Sequence, residues 1–251
     1  MKKLPYLLAL SGLIAAPAMA ADAPASPHTV SFNVGVTTDY VFRGISQSQH
    51  DPAISGGADY SHASGLYAGT WVSTQKWVET GPYKNSSDWE WDVYGGYKGS
   101  VGDVGYDLGL IHYAYDGKRA GVAAPTPETT EIYLGVSYKI ATLKYSRAVS
   151  DYFIGWGTRG TAKTKDSDYI ELNLAYDMGD GWGLQGHLGH QRVENVSVAN
   201  YTDWKIGVTK DVGFGTVTLA YSDTNADTPT YTWAGEKVAK GVLALSFSKS
   251  F

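Results

Sequence analysis

Val242-Leu-Ala-Leu-Ser-Phe-Ser-Lys-Ser-Phe251 closes the chain with apolar side chains at Leu243, Leu245, Phe247 and Phe251 and small or polar ones between them. A strand sends alternate side chains to opposite faces, so this stretch has one greasy face and one polar face. A terminal aromatic on a half-apolar strand is how outer-membrane β-barrels end. These four residues are therefore candidates for a membrane-insertion signal.

The first twenty residues point to the same compartment. Lys2 and Lys3 precede an apolar run from Leu4 to Ala16, and Ala18-Met19-Ala20 supplies a small-x-small cleavage site. The run is shorter than the ~20 residues that span hydrocarbon as a helix. Residues 1–20 read as a secretory signal peptide cleaved near Ala20, residues 21–28 as a short periplasmic segment, and 29–251 as the folded unit. Without Lys2 and Lys3 the chain has 18 basic against 25 acidic residues, a formal charge of −7, and no basic face to attract nucleic acid. The absence of cysteine removes disulfides and thiolate metal sites together. With 30 Gly, 19 Tyr and 8 Trp, the composition favours one large all-β unit.

The alternation of the last strand recurs throughout. Val30, Phe32, Val34, Val36, Thr38, Tyr40 and Phe42 occupy the even positions of 29–42, with Ser31, Asn33, Thr37 and Asp39 between them. Trp89, Trp91 and Val93 alternate with Glu90 and Asp92; Ile132, Leu134 and Val136 with Glu131 and Ser137; Ile170, Leu172, Leu174 and Tyr176 with Glu171, Asn173 and Asp177. No helical period competes. Twelve strands are predicted at 29–42, 54–60, 66–74, 89–97, 104–115, 130–138, 142–147, 168–177, 182–191, 203–209, 215–221 and 238–251. The connections alternate long and short, as external loops and periplasmic turns do in a barrel. The even count places both ends of the barrel on the short-turn side.

A soluble β-sandwich also alternates, but it must bury its apolar face against a second sheet. A closed barrel turns that face to lipid and keeps a polar interior. Aromatics at strand ends, among them Tyr60, Trp89, Tyr97, Tyr138, Tyr176, Trp182, Trp204 and Tyr221, fit interfacial girdles. The expected fold is a twelve-stranded antiparallel transmembrane β-barrel.

Ser31-Phe-Asn-Val-Gly-Val-Thr-Thr-Asp-Tyr-Val-Phe-Arg-Gly-Ile-Ser-Gln-Ser48, with Pro52-Ala-Ile-Ser-Gly-Gly57, Asp59-Tyr60 and Ser64-Gly-Leu-Tyr-Ala-Gly-Thr-Trp71, resembles the opening of the TorF-family porins, a proteobacterial family of unknown function. The resemblance is specific over 31–71 and looser over the rest. It implies an outer-membrane location and a channel role, and it supplies no substrate and no catalytic residue.

Parity assigns the lumen charges. Asp39, Arg43, Asp59, Glu90, Asp92, Asp107, Glu131, Glu171, Asp177 and Lys205 are the candidate pore-lining residues, joined by Asp203, Lys144 and Lys240. Asp39 and Arg43 share a face near the external rim and are positioned to pair; Arg43 either forms a charged constriction or seats the first loop. The acidic excess predicts weak cation preference. Twelve strands lie between the filled eight-stranded and the open sixteen-stranded barrels, which leaves both an open and a filled lumen in play.

The longest expected external loop, 148–167, combines Tyr152, Trp156, Arg159 and Lys163, suited to lipopolysaccharide phosphates or a polar solute, or to folding inward. A barrel hydrolase is the weaker reading. His62-Ala-Ser64 has a His-x-Ser spacing but falls in a periplasmic turn, and His187 and His190, three apart in a strand, face opposite ways and do not easily share a metal. No cofactor is expected. The expected function is a porin-like passive channel for small hydrophilic solutes, with a closed structural or surface-interaction barrel as the alternative. Expected partners are outer-membrane lipid and lipopolysaccharide, the barrel-assembly machinery and periplasmic chaperones.

Overall fold

A computed structural model describes residues 26–80, 86–117, 125–157 and 162–251. The expected signal peptide, most of the segment 21–28 and Arg159 lie outside the described residues. Twelve strands close into one antiparallel barrel: β1 His28–Thr37, β2 Ala53–His62, β3 Leu66–Thr74, β4 Ser86–Val101, β5 Val104–Gly117, β6 Thr129–Tyr138, β7 Ala141–Ala148, β8 Asp168–Gly179, β9 Trp182–Arg192, β10 Tyr201–Asp211, β11 Thr216–Thr224 and β12 Val242–Ser250. Each pairs with its chain neighbours, and β1 pairs with β12 to seal the cylinder, Val36 opposite Phe247 and Thr37 opposite Ser246. Phe251 extends the seam: its N–H donates to the Phe32 carbonyl at 2.9 Å, and the Phe32 N–H donates back at 3.2 Å. Closure leaves no free sheet edge, so the barrel satisfies its own backbone groups without water.

The sorting of side chains is the inverse of a soluble protein. Phe32, Trp91, Leu108, Ile206 and Leu243 point outward and are all more than half exposed, while Glu90, Glu131 and Asp203 point inward and are at most 2% exposed. An apolar face on the outside and charge within suit hydrocarbon around the cylinder and a polar interior. Aromatics ring both ends of the apolar band. Tyr60, Tyr97, Tyr138, Tyr176 and Trp182 lie near the short turns, and Trp89, Trp204 and Tyr221 lie near the long connections.

The short turns are tight. Between β8 and β9, Asp180 and Gly181 both take positive φ, 52° and 74°, the backbone that matches the twist of a two-residue hairpin. The long connections do not simply project outward. Ile45, Phe153, Val193, Tyr201, Tyr231 and Val238 from four connections and one strand pack into one buried cluster, with Trp156 and Trp233 against it. Trp77 and Val78, from a four-residue helical turn Trp77–Thr80, form a second with Tyr113, Tyr115 and Tyr133.

Several strands run a few residues past the expected limits, as Ser86–Val101 does against 89–97, and the first and last fall short of theirs by four residues or more. The first strand ends at Thr37 rather than running to 42, and the chain then turns inward as a small hairpin pairing Val41–Phe42 with Ile45–Ser46. Arg43 and Gly44 occupy its bend with φ of 47° and 77°. A Cβ on Gly44 would come within 2.5 Å of Asp203 Cβ, so only glycine lets the hairpin approach the wall this closely. The last strand begins at Val242 rather than 238, because Val238 and Ala239 are buried in the loop cluster. Lys240 therefore lies in the connection and not at mid-strand.

Candidate functional site

The site is the lumen, and the inward hairpin organises its upper half. Arg43 extends from the hairpin bend to β6, where Nη1 and Nη2 donate to Glu131 Oε1 and Oε2 at 3.0 and 2.7 Å. Nη1 also donates to Gln191 Oε1 on β9 at 3.1 Å. The guanidinium lies over the Tyr169 ring at 4.3 Å and over Phe42 at 4.8 Å. The Arg43 side chain is 7% exposed and that of Glu131 1%. This planar fork on a carboxylate, flanked by aromatic faces, is the geometry that arginine provides and lysine does not.

Asp39 and Arg43 do not pair. Asp39 instead binds its own connection: Ser46 and Ser48 hydroxyls donate to Oδ1 at 2.6 and 3.2 Å, and His50 Nδ1 lies 2.6 Å from Oδ2. The shared parity of 39 and 43 does not apply because the strand has ended before either residue.

Most other predicted lumen carboxylates point inward and are held by tyrosines. Tyr94 OH donates to Asp59 at 2.6 Å, Tyr67 OH to Asp107 at 2.6 Å, Tyr115 OH to Glu90 at 3.0 Å and Tyr113 OH to Glu131 at 3.2 Å. Tyr67 and Tyr133 hydroxyls also touch each other. Glu90 Oε2 and Asp92 Oδ1 are buried with no hydrogen-bond partner. Asp177 lies exposed at the short-turn end of β8, where Oδ1 accepts from the Gly179 N–H at 2.8 Å and closes the turn.

A second network covers β8 to β10. Asn173 Nδ2 donates to Glu171 at 2.7 Å, His187 Nδ1 lies 2.7 Å from Asn173 Oδ1, and His187 Nε2 lies 2.9 Å from Asp203 Oδ1. Tyr169 OH donates to the other Asp203 oxygen at 2.8 Å. Cross-strand register sets Lys144 opposite Glu171 and Lys205 opposite His187. His190 faces away, with Nδ1 2.9 Å from the Thr202 hydroxyl.

Below the hairpin lies a cavity of ≈ 210 Å³ to which every barrel strand except β4 and β6 contributes. Arg43, Lys144, Glu171, His187, Asp203 and Lys205 line it, with Asp39 above and serines 55, 73, 222 and 246 around the remaining wall. Of the predicted lumen residues, Asp39, Arg43, Lys144, Glu171, Asp203 and Lys205 thus meet at one space. Asp59, Glu90, Asp92, Asp107 and Glu131 belong to the wall around it.

The described parts of the 149–167 connection, 149–157 and 162–167, fold back over the rim. Phe153 is 2% exposed, Trp156 packs 5.5 Å from the Tyr231 ring, and the Thr164 hydroxyl donates to the Trp156 carbonyl at 2.8 Å. Lys163 stays outside and pairs with Asp151 at 2.9 Å; the Tyr152 carbonyl accepts from Ser150 Oγ at 2.9 Å. His62 Nδ1 lies 2.7 Å from Ser64 Oγ on the exposed short turn and its ring is 5.0 Å from His28.

Charge alone selects the lumen residues in the sequence, where Tyr hydroxyls enter only as unnamed partners of the carboxylates in a filled barrel; the structure shows which tyrosines these are. Their signal is present: Tyr94, Tyr113, Tyr115, Tyr133 and Tyr169 share parity with the inward acids of their strands.

Solved barrels resemble this one. KdgM porin superposes with a TM-score of 0.54 at 7% identity, covering 88% of this chain and 99% of its own. KdgM porin in complex with disordered oligogalacturonate gives 0.52 at 7% identity, covering 88% and 98%. NanC porin gives 0.47 at 10% identity, covering 89% and 99%. At such identities the likeness to KdgM shows the fold alone. No curated protein matches the sequence. The family described as "Bacterial protein of unknown function (Gcw_chp)" matches residues 21–251.

Proposed function

The chain belongs to the Gcw_chp family of bacterial proteins of unknown function, and we propose that it is a porin-like passive channel of the outer membrane for small hydrophilic solutes. The observation that carries this reading is a cavity lined by charged and polar side chains inside a closed barrel whose outer face is apolar. The likeness of residues 31–71 to TorF-family porins supports it, as does a C-terminal strand whose Leu243, Leu245 and Phe251 are exposed on the outer face for lipid and the assembly machinery to meet. Cleavage near Ala20 and delivery by periplasmic chaperones belong to the same proposal, as do lipopolysaccharide contacts through Tyr152, Trp156, Arg159 and Lys163.

Selectivity follows from charge. Asp39, Asp59, Glu90, Asp92, Asp107, Glu131, Glu171 and Asp203 face the interior against Arg43, Lys144 and Lys205, an acidic excess that lowers the energy of cations in a lumen with low-dielectric walls. No covalent step is invoked. Planar-bilayer recording of the refolded mature chain is the test. Discrete conductance steps with a reversal potential favouring potassium over chloride are expected; folded barrels that never conduct would overturn the channel, and chloride preference would overturn the selectivity.

A second reading is favoured by one observation. The hairpin at 41–46 and the packed connections occupy the outer mouth, as they would in a closed barrel serving as a structural or surface-interaction protein. The same recording separates the two.

A further inference from the structure

Lys144 and Lys205 are the unusual pair in this lumen. Both line the cavity, and neither has an ion-pair partner within 4.0 Å among the described residues. Lys144 Nζ has only the face of Tyr133, 4.4 Å away. Most of the acids near them are committed elsewhere, although Asp107, which accepts from Tyr67 on one oxygen, keeps the other. Asp203 uses both oxygens on His187 and Tyr169, Glu131 uses both on Arg43, and Glu171 gives one to Asn173. Both lysines are half-buried, and an ammonium group partly withdrawn from water without an ion-pair partner favours an anion beside it.

The formal charges around the cavity balance: Arg43, Lys144 and Lys205 against Asp39, Glu171 and Asp203. A lone anion would satisfy the lysines but face the acidic lumen, and a lone cation would face the lysines. A solute carrying both charges leaves the balance intact. Its carboxylate can take the two lysines, while its ammonium group can take the remaining Glu171 oxygen and the Trp71 ring, which also lines the space. The volume of ≈ 210 Å³ is below the ~300–1,000 Å³ of sites for drug-sized ligands, which favours a solute of amino-acid size.

We infer that the lumen cavity is a binding site for small zwitterionic solutes of the amino-acid class, with Lys144 and Lys205 receiving the carboxylate. This rests on the reading of the barrel as one that admits solutes to its lumen.

The test is calorimetric titration of the refolded mature chain with L-alanine, acetate, methylammonium and glycerol. L-alanine is expected to bind saturably and about tenfold more tightly than acetate or methylammonium, since each of those makes only one set of charge-assisted bonds. Lys144→Met and Lys205→Met should each weaken L-alanine about tenfold while leaving heat-modifiable gel mobility unchanged. The ligand ranking in the unsubstituted chain needs no variant, so it stands even if a substituted barrel fails to fold. Acetate or methylammonium binding as tightly as L-alanine, or no saturable heat with L-alanine, overturns the inference. Conductance without L-alanine binding would overturn the site and leave the channel; L-alanine binding without conductance would overturn the channel and leave the site.

Discussion

Replacing Arg43 by alanine should free the inward hairpin. The guanidinium makes two bonds to Glu131 and one to Gln191 and lies between the rings of Phe42 and Tyr169. Its removal leaves the buried Glu131 carboxylate with one tyrosine hydroxyl at 3.2 Å. Breaking a buried ion pair by deleting one member costs about 3–5 kcal/mol. The barrel ladder does not pass through this contact, so the loss falls on the equilibrium between hairpin docked and hairpin released. At 1.4 kcal/mol per factor of ten, that equilibrium shifts by roughly 10²- to 10⁴-fold. Single-channel recording should show higher conductance for Arg43→Ala, with frequent transitions if the two states exchange during the record. Arg43→Lys keeps the charge but loses the fork, and should fall between the two. Arg43→Ala combined with Glu131→Ala removes the orphaned carboxylate, and should unfold at higher denaturant than Arg43→Ala alone. Arg43→Ala with unchanged conductance, and a double variant whose losses simply add, would refute the reasoning.

Other perturbations probe separate parts of the structure. Gly44→Ala places a Cβ 2.5 Å from Asp203 Cβ at a φ of 77°, so limited proteolysis should cut within 38–52 faster than in the parent chain. Asp92→Asn removes a buried charge whose Oδ1 has no hydrogen-bond partner, and should raise the urea midpoint of the reconstituted barrel by an amount worth about 1 kcal/mol, whereas Glu131→Gln, which spoils an ion pair, should lower it. Leu108→Arg, at an outward position 58% exposed, should cost about 2–4 kcal/mol in a bilayer if it lies near the midplane, where the same change on a water-facing strand would be nearly neutral.

Strand number, closure and the two faces were legible because period-two alternation follows from backbone geometry alone. Ile170, Leu172 and Leu174 point out and Glu171 and Asn173 point in for no reason beyond their position in an extended chain. The same property explains the error at the first strand. Val36, Thr38, Tyr40 and Phe42 go on alternating after the strand has ended, because the hairpin is extended backbone too, and only Arg43-Gly44 marked the bend. Val238 misled at the last strand in the same way, as an apolar residue that belongs to the loop cluster. The Arg43–Glu131 pair joins residues 88 positions apart across the lumen, and no local pattern encodes which inward acid an inward arginine will meet. The tyrosine partners of Asp59 and Asp107 depend on strand register, which parity does not set.

The chain has no cysteine, so single cysteines introduced one at a time over 168–177 can carry a spin label without background. Accessibility in lipid bilayers should alternate, with oxygen reaching labels at 170, 172 and 174 and a water-soluble nickel chelate reaching those at 171 and 173. Equal access of the nickel chelate to both sets would contradict a barrel that shows lipid one face and water the other.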